Sequence, residues 1–261
     1  MSLALSTIFL FVLLLPGIAF RRLYYSEEFS QQYFRDNFFL VFTATIVPGL
    51  VFQLLGLWIA GWFNPVADLT VLRDLVSGAP GDAAMRNLQD YLGWILLHQT
   101  FLIALAAALG YAARKVVRNN KWDRRYKLFR YRNTWHYVLK GEFFDFPRAD
   151  YDLAEDTVDD IEVVSVTAVQ DTGMGTLLYV GLLVDYELGQ DGGLQTISLK
   201  STQRRLLTED ALEGGADVPG KRFYPVKGHI MLLKYAELRN LNFTYITLEE
   251  REGVTYPRQV R

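Results

Sequence analysis

The fold is decided by one apolar stretch, YLGWILLHQTFLIALAAALGYAA, which covers residues 91–113 and contains no charged side chain. A helix needs about 20 apolar residues to cross the hydrocarbon core of a bilayer. Two further stretches without charge meet this requirement, residues 3–20 and residues 37–63. The sequence therefore predicts a membrane α-plus-β protein, with three transmembrane helices in residues 1–113, a basic juxtamembrane linker in 114–133 and a β domain in 134–261.

The first stretch has an alternative interpretation as a secretory signal peptide. Such a peptide places its basic residues before the apolar run and a small-residue cleavage site after it. Here the order is reversed, because Arg21 and Arg22 follow the run and no basic residue precedes it. We therefore expect a retained helix.

The basic residues also indicate the orientation, since cytoplasmic loops are enriched in Lys and Arg. Arg21, Arg22 and Arg35 follow the first span, whereas only Arg73 and Arg86 lie between the second and third spans. The linker after the third span is strongly basic. The sequence predicts a multi-pass protein of the cell inner membrane, with the N-terminus outside and the β domain in the cytoplasm.

Besides Thr43, Thr45 and Thr100, the second and third spans contain three larger polar side chains, Gln53, His98 and Gln99. Polar groups are costly in lipid and tend to face other helices or water, so these residues are candidates to line a pore. A simple hydrogen bond to a neighbouring helix is the alternative. Because three helices bury little surface alone, we expect a homo-oligomer, a dimer or a ring, with a tetramer as first guess. Small residues four apart, such as Ala106 and Gly110, would allow close helix packing.

Two further features of the membrane region concern a channel. Asp68 and Asp90 lie in the outer segment and would form a negative vestibule in an oligomer, although a solvated loop is the alternative. Pro48 and Gly49 interrupt the second span near its middle. Because proline kinks a helix, this pair is the predicted hinge.

The linker interleaves basic and aromatic residues. Basic clusters next to a span bind anionic lipid headgroups. A solvated helix face and a single-stranded nucleic acid site are the alternatives. The candidate headgroup ligands are Arg114, Lys115, Arg118, Arg124 and Arg125.

Beyond the linker the pattern changes to the alternation and turn signals of β-strands. Gly189 to Gly193 predicts a hairpin turn. Five or six short strands are typical of a small barrel of the SH3 or Sm type, or of a small sandwich. The predicted strands cover residues 135–140, 161–170, 176–186, 194–200 and 229–248, the last divided into two.

Nothing in the sequence predicts an enzyme, a metal site or a cofactor. The chain has no cysteine, which excludes thiol catalysis and cysteine-bound zinc. The three histidines, His98, His136 and His229, do not have the spacing of metal ligands, and no phosphate-binding loop is present. We expect a binding protein.

Basic and aromatic residues of the β domain are candidates to hold a nucleotide-type ligand. Basic side chains would bind its phosphates and tyrosines would stack on its base. Scattered surface charge is the alternative. The candidates for the phosphates are Lys200, Arg204, Arg205, Lys221 and Arg222, and those for stacking are Tyr179, Tyr186 or Tyr224.

Four short motifs carry a resemblance to known proteins: Trp122-Asp123-Arg124-Arg125, Tyr179-Val180-Gly181, Asp185-Tyr186 and Asp191-Gly192-Gly193. With the overall layout they resemble a family of uncharacterised bacterial membrane proteins with short N-terminal spans and a C-terminal β domain. The architecture is also similar to that of the transmembrane effectors of the Hailong anti-phage system. That resemblance implies an oligomeric ion channel governed by a nucleotidyltransferase and its nucleotide product, and it transfers no functional residue.

Two hypotheses about function follow. The first is an oligomeric membrane effector in anti-phage defence, an ion channel gated through its cytoplasmic β domain by a nucleotide-type ligand or a protein partner. The second is a membrane-anchored adaptor that recruits a soluble partner and does not conduct ions.

Overall fold

A computed structural model describes residues 2–30, 38–63, 86, 89–149, 153, 156–173, 175–189, 191–207, 223–251 and 254–260. The chain forms two compact units, Met1–Asp123 and Arg124–Arg261. We call them the helical unit and the β unit. The division between them falls inside the predicted linker, residues 114–133.

The helical unit contains three long helices in its described part: α1 (Ser2–Tyr24), α2 (Phe38–Ala60) and α3 (Leu92–Asn119). Each is long and apolar enough to cross a membrane. They lie at the three predicted stretches, which confirms the helix predictions. Helix α3 runs past Ala113 into the basic linker, and a short helix, α4 (Trp122–Arg125), follows it.

The three helices cross at glycines. A Cβ atom added to Gly17 of α1 would lie 2.5 Å from the backbone oxygen of Thr45 in α2, and one added to Gly110 of α3 would overlap the backbone oxygen of Phe20 in α1. Ala106, four residues before Gly110, is fully buried. Ala106 and Gly110 therefore pack against other helices of the same chain. From the sequence, small residues at this spacing had been expected to pack between subunits.

The β unit is built on one antiparallel sheet that curls into a half-barrel. Its strand order is β4-β3-β2-β1-β6-β7, and β5 also pairs with β3. The prediction of helices followed by a β domain is confirmed at this level. The strands are β1 (Val163–Thr172), β2 (Gly175–Leu188), β3 (Leu194–Leu206), β4 (Tyr224–Pro225), β5 (Met231–Lys234), β6 (Leu238–Arg251) and β7 (Val254–Gln259).

One predicted strand is wrong. Residues 135–140 lie mostly in helix α5 (Thr134–Leu139). The side chain of Asn133 caps this helix by accepting a hydrogen bond of 3.0 Å from the backbone N–H of His136. Gly141, two residues after the helix, has a φ of 73°. The capping Asn marks the start of the helix, and the glycine of positive φ follows its end. The short aromatic and β-branched run between them resembles a strand, which explains the wrong prediction.

Alternate residues of the strands form the hydrophobic core. Val164, Val166 and Ala168 of β1 are buried on one side of the sheet, and Leu139 of α5 joins them. Tyr245 of β6 also lies in this core, where its hydroxyl donates a hydrogen bond of 2.6 Å to the backbone oxygen of Val138. Burial raises the pKa of the Tyr245 hydroxyl above its usual value. Helix α5 is thereby fixed to the sheet.

Strand β7 forms one edge of the sheet. The backbone N–H of Val260 donates to the oxygen of Tyr245 at 3.0 Å, and Leu248 pairs with Pro257. Because hydrogen-bonded pairs alternate along an antiparallel ladder, the nitrogen of Pro257 faces away from β6. That nitrogen carries no hydrogen, so this outer edge lacks a donor at Pro257.

Candidate functional site

The two glutamines of the spans point at one turn of α1. The Nε2 atom of Gln99 donates a hydrogen bond of 2.7 Å to the backbone oxygen of Val12. The Nε2 atom of Gln53 donates one of 2.9 Å to the backbone oxygen of Leu13, and lies 3.3 Å from Oε1 of Gln99. The residue four positions after Val12 is Pro16, which has no N–H to offer that oxygen. Gln99 therefore supplies the donor that the helix itself lacks.

The other predicted pore residues have different surroundings. His98 is half-buried beside Gly56, and its enclosed Nε2 atom has no hydrogen-bond partner among the described residues. Asp90 is exposed two residues before α3, and Asp68 lies outside the described residues. Pore lining by Gln53, His98, Gln99, Asp68 and Asp90 stays a prediction.

The predicted hinge lies at a helix crossing. Pro48 is inside α2, and the buried Gly49 faces Leu14 of α1, whose Cδ2 atom would lie 3.2 Å from an added Cβ. Proline at position 48 leaves the backbone oxygen of Ala44 without its helical donor. No side-chain donor contacts that oxygen in the part of α2 that the structure describes. A hinge here stays a prediction.

Arg114 forms an ion pair at the end of the bundle. Its Nη2 atom lies 2.5 Å from Oε2 of Glu27 and 3.1 Å from Oε2 of Glu28, and its Nη1 atom donates to Oγ of Ser26 at 3.1 Å. The hydrogen bond from Arg114, and then its charge, hold the pKa of Glu27 below its usual value of 4.5, although desolvation opposes them. The Arg114 side chain is only 9% exposed. Its guanidinium therefore contacts other side chains of the protein, whereas we had predicted that it binds a lipid headgroup.

The remaining candidate headgroup ligands divide into two kinds. Nη1 of Arg118 lies 2.8 Å from Oδ2 of Asp123, whose side chain is completely buried. Arg124 is also buried in ion pairs. Lys115 and Arg125 are exposed. Headgroup binding by these two residues stays a prediction.

A buried polar network ties the start of the β unit to its sheet. Nη2 of Arg124 lies 3.0 Å from Oε1 of Glu142, and Nη1 lies 2.7 Å from Oδ2 of Asp145. The same Glu142 oxygen is 3.8 Å from Nε2 of His136, whose Nδ1 lies 3.0 Å from the hydroxyl of Tyr186 in β2. Glu142 and Asp145 were not among the residues predicted from the sequence. The proposed stacking residue Tyr186 is engaged in this network through its hydroxyl.

The predicted ligand-binding residues are only partly brought together. Lys200 and Arg204 are exposed on β3, and Arg204 pairs with the exposed Tyr224 of β4. On its other side Arg204 pairs with Tyr179, which is buried in the core and has no exposed ring face for stacking. Two other candidates, Lys221 and Arg222, lie outside the described residues.

Arg205 takes part in a cation–π contact. Its guanidinium carbon lies 5.0 Å from the ring centroid of Phe223. Of the candidate ligand residues that the structure describes, Lys200, Arg204 and Tyr224 are exposed. Tyr224 is the exposed one among the three tyrosines that the sequence offers for stacking on a base.

Comparisons with family models, with curated proteins and with solved structures find no match for this chain. Within the described residues, no three His, Asp or Glu side chains lie close enough together to hold a metal ion. Function is therefore inferred from the chain's own residues and their geometry.

Proposed function

We propose that this chain is an integral protein of the cell inner membrane whose copies assemble into an ion channel controlled by the β unit. The helical unit spans the bilayer with its N-terminus outside, and the β unit lies in the cytoplasm. A ligand bound to the β unit prefers one state of the helices and so shifts the channel between closed and open. By the resemblance in architecture, the ligand is of nucleotide type and comes from a nucleotidyltransferase in anti-phage defence.

Placement in a membrane is supported by the outer surface of the three helices. Large apolar side chains such as Val47, Leu54 and Leu97 are exposed along them. In the described residues of the uncharged stretches 7–20, 39–60 and 92–113, the exposed polar side chains other than aromatic ones are threonines: Thr7, Thr43 and Thr100. Water-soluble proteins rarely expose continuous apolar surface of this extent.

The single observation that carries the channel proposal is the pair of polar side chains Gln53 and Gln99, which contact each other inside otherwise apolar helices. Polar side chains within a membrane mark ion and proton pathways. In the structure both glutamines are hydrogen-bonded to α1, so we assign this arrangement of the helices to the closed state. Opening would turn these amides toward a water-filled path between subunits.

The orientation can be tested cleanly because the chain has no cysteine of its own. Arg86→Cys places a thiol between the second and third spans, and Thr255→Cys places one on the exposed surface of β7. We expect a membrane-impermeant maleimide to label Arg86→Cys in intact cells and Thr255→Cys only after permeabilisation. The reverse pattern would exclude the proposed orientation.

Conduction is tested by potassium flux from liposomes that contain the purified chain, with ATP and dATP as nucleotide probes, and by native mass spectrometry of the protein in detergent. We expect an oligomer and a flux that rises with a nucleotide. Exchange of Lys200 and Arg204 for Ala should remove the nucleotide response without changing the subunit number. A strict monomer in sealed vesicles would exclude a channel.

A second candidate is the non-conducting adaptor. It is favoured by the observation that both glutamines already have partners within the chain. Overexpression distinguishes the two functions. A channel depolarises the cells, whereas an adaptor leaves the membrane potential intact and co-purifies with its soluble partner.

A further inference from the structure

The starting point is a backbone oxygen that α1 cannot satisfy by itself. In a regular helix the oxygen of Val12 would accept from the N–H of residue 16, which is Pro16. In a bilayer no water is present to take the place of that donor, and an unsatisfied backbone group costs several kcal/mol. This turn of α1 therefore needs a donor from elsewhere in the bundle.

The donors come from two different helices. Gln99 of α3 bonds to the oxygen of Val12, and Gln53 of α2 bonds to the oxygen of Leu13, the next one along. Both bonds are short, at 2.7 and 2.9 Å, and both side chains are at least half-buried. One turn of α1 is thus held from two sides.

The second proline in the membrane region provides an internal comparison. The Ala44 oxygen, which Pro48 deprives of its donor, has no side-chain donor among the described residues. A proline in this bundle can therefore be tolerated without a glutamine. The two amides at Pro16 are therefore not a general requirement for a proline in this bundle.

We propose that Gln53 and Gln99 form a latch on α1, which holds the helix in the closed state at the oxygens of Val12 and Leu13. This glutamine latch rests on the proposed channel function, and it identifies the contact that keeps the channel closed. Nε2 of Gln53 also donates a hydrogen bond of 3.3 Å to Oε1 of Gln99, so the two amides stay joined to each other when their bonds to Val12 and Leu13 break. The freed Val12 oxygen then requires water, which an open path supplies.

The latch is tested first by a double-mutant cycle that does not depend on conduction. Pro16→Ala restores the N–H that the Val12 oxygen lacks. We expect Gln99→Leu to lower the Tm of the full-length chain in detergent by several degrees, and by less than half as much in the Pro16→Ala background. Thr100→Val, on the exposed side of α3, is the matched control and should shift the Tm equally little in both. Equal effects of Gln99→Leu in the two backgrounds would overturn the latch.

A milder variant covers the case in which Gln99→Leu does not fold. Gln99→Asn keeps the amide but is one methylene shorter, so it should not reach the Val12 oxygen. We expect it to show the same dependence on Pro16. A Gln99→Asn chain as stable as the wild type in the Pro16 background would also overturn the latch.

Gating is tested in liposomes without any nucleotide. We expect the double variant Gln53→Leu and Gln99→Leu to raise the basal potassium flux at least several-fold over the wild type, while Thr100→Val leaves it unchanged. If the double-mutant cycle shows coupling but the vesicles stay sealed, the glutamines hold α1 and the gating role is excluded. If vesicles of the wild type also stay sealed with every nucleotide probe and at every imposed potential, the proposed channel itself fails.

Discussion

The helical unit and the β unit bury their polar groups in opposite ways. Within its spans, the helical unit buries neutral polar contacts, from the amides of Gln53 and Gln99 to backbone oxygens. In the described residues, the charged side chains that this unit buries lie near or beyond the ends of its spans: Arg21, Arg114 and Asp123. The β unit instead buries a charged pair, Arg124 with Glu142.

This difference is the one that two solvents would produce. Burying a charge at the centre of a bilayer costs much free energy. For a neutral amide, a single good hydrogen bond to the backbone can offset the cost of burial. A unit that folds in water can bury an arginine if a carboxylate accompanies it, although both must stay paired. The predictions below test this contrast, beginning with the largest expected effect.

Removal of one partner from the charged pair should be the most damaging change. Arg124→Ala leaves Glu142 buried without its guanidinium, which we expect to cost about 3–5 kcal/mol in the free energy of unfolding. Arg125→Ala, the exposed neighbour, should change it by less than about 0.5 kcal/mol. Chemical denaturation followed by circular dichroism measures both. Similar losses for the two variants would show that the β unit does not depend on its buried pair.

A second test addresses how the helical unit packs. Gly110→Val places a side chain against the backbone of Phe20, which cannot move away without shifting α1, and overpacking should cost about 3 kcal/mol. Gly93→Ala is the control on the same helix, because nothing lies within 4 Å of its added Cβ. Alanine is the better helix former, so this control should be neutral or stabilising. Thermal unfolding in detergent measures the stability of both variants. A Gly110→Val chain as stable as the wild type would contradict the close crossing of α1 and α3.

A third, smaller effect concerns the cap of α5, which fixes the histidine of the buried network. Asn133→Ala removes the acceptor for the N–H of His136 and should cost about 1 kcal/mol. Asn133→Ser, which keeps a capping oxygen, should restore most of the stability. No difference between the two variants in denaturation midpoint would mean that the cap contributes nothing.

The smallest effect is expected from the ion pair at the end of the bundle. Arg114 lowers the pKa of Glu27 in the folded chain, so its stabilisation is present above pH 4.5 and is lost as the pH falls through the lowered value. Glu27 is 62% exposed, and solvent screens much of the interaction. We expect Tm to fall less between pH 7 and acid in Glu27→Gln than in the wild type. Glu250→Gln, an exposed carboxyl in β6, serves as the control and should leave the pH dependence unchanged.

The helices and most strands could be predicted from local patterns. An uncharged run of sufficient length defines a helix such as α2, and alternation defines strands such as β1. The region 229–248 was correctly divided into two strands, β5 and β6. The strands β4 and β7 were missed, because β4 has two residues and β7 contains Pro257.

The candidate sites were harder to predict because they depend on contacts distant in sequence. Polarity within an apolar run drew attention to Gln53 and Gln99, but their direction is set by an oxygen at Val12, far along the chain. Pro16 was the available signal, since a proline inside a span implies an oxygen in need of a donor. Likewise the burial of Arg124 depends on Glu142, whose position follows from the misassigned helix α5.

Pro257 has a consequence for chains that are synthesised faster than they fold. The exposed edge of a sheet is a template on which a strand from another molecule can pair, the first step toward fibres and exchanged strands. The missing N–H near the middle of β7 interrupts that template, so a further strand that paired along this edge would lose one hydrogen bond of the ladder.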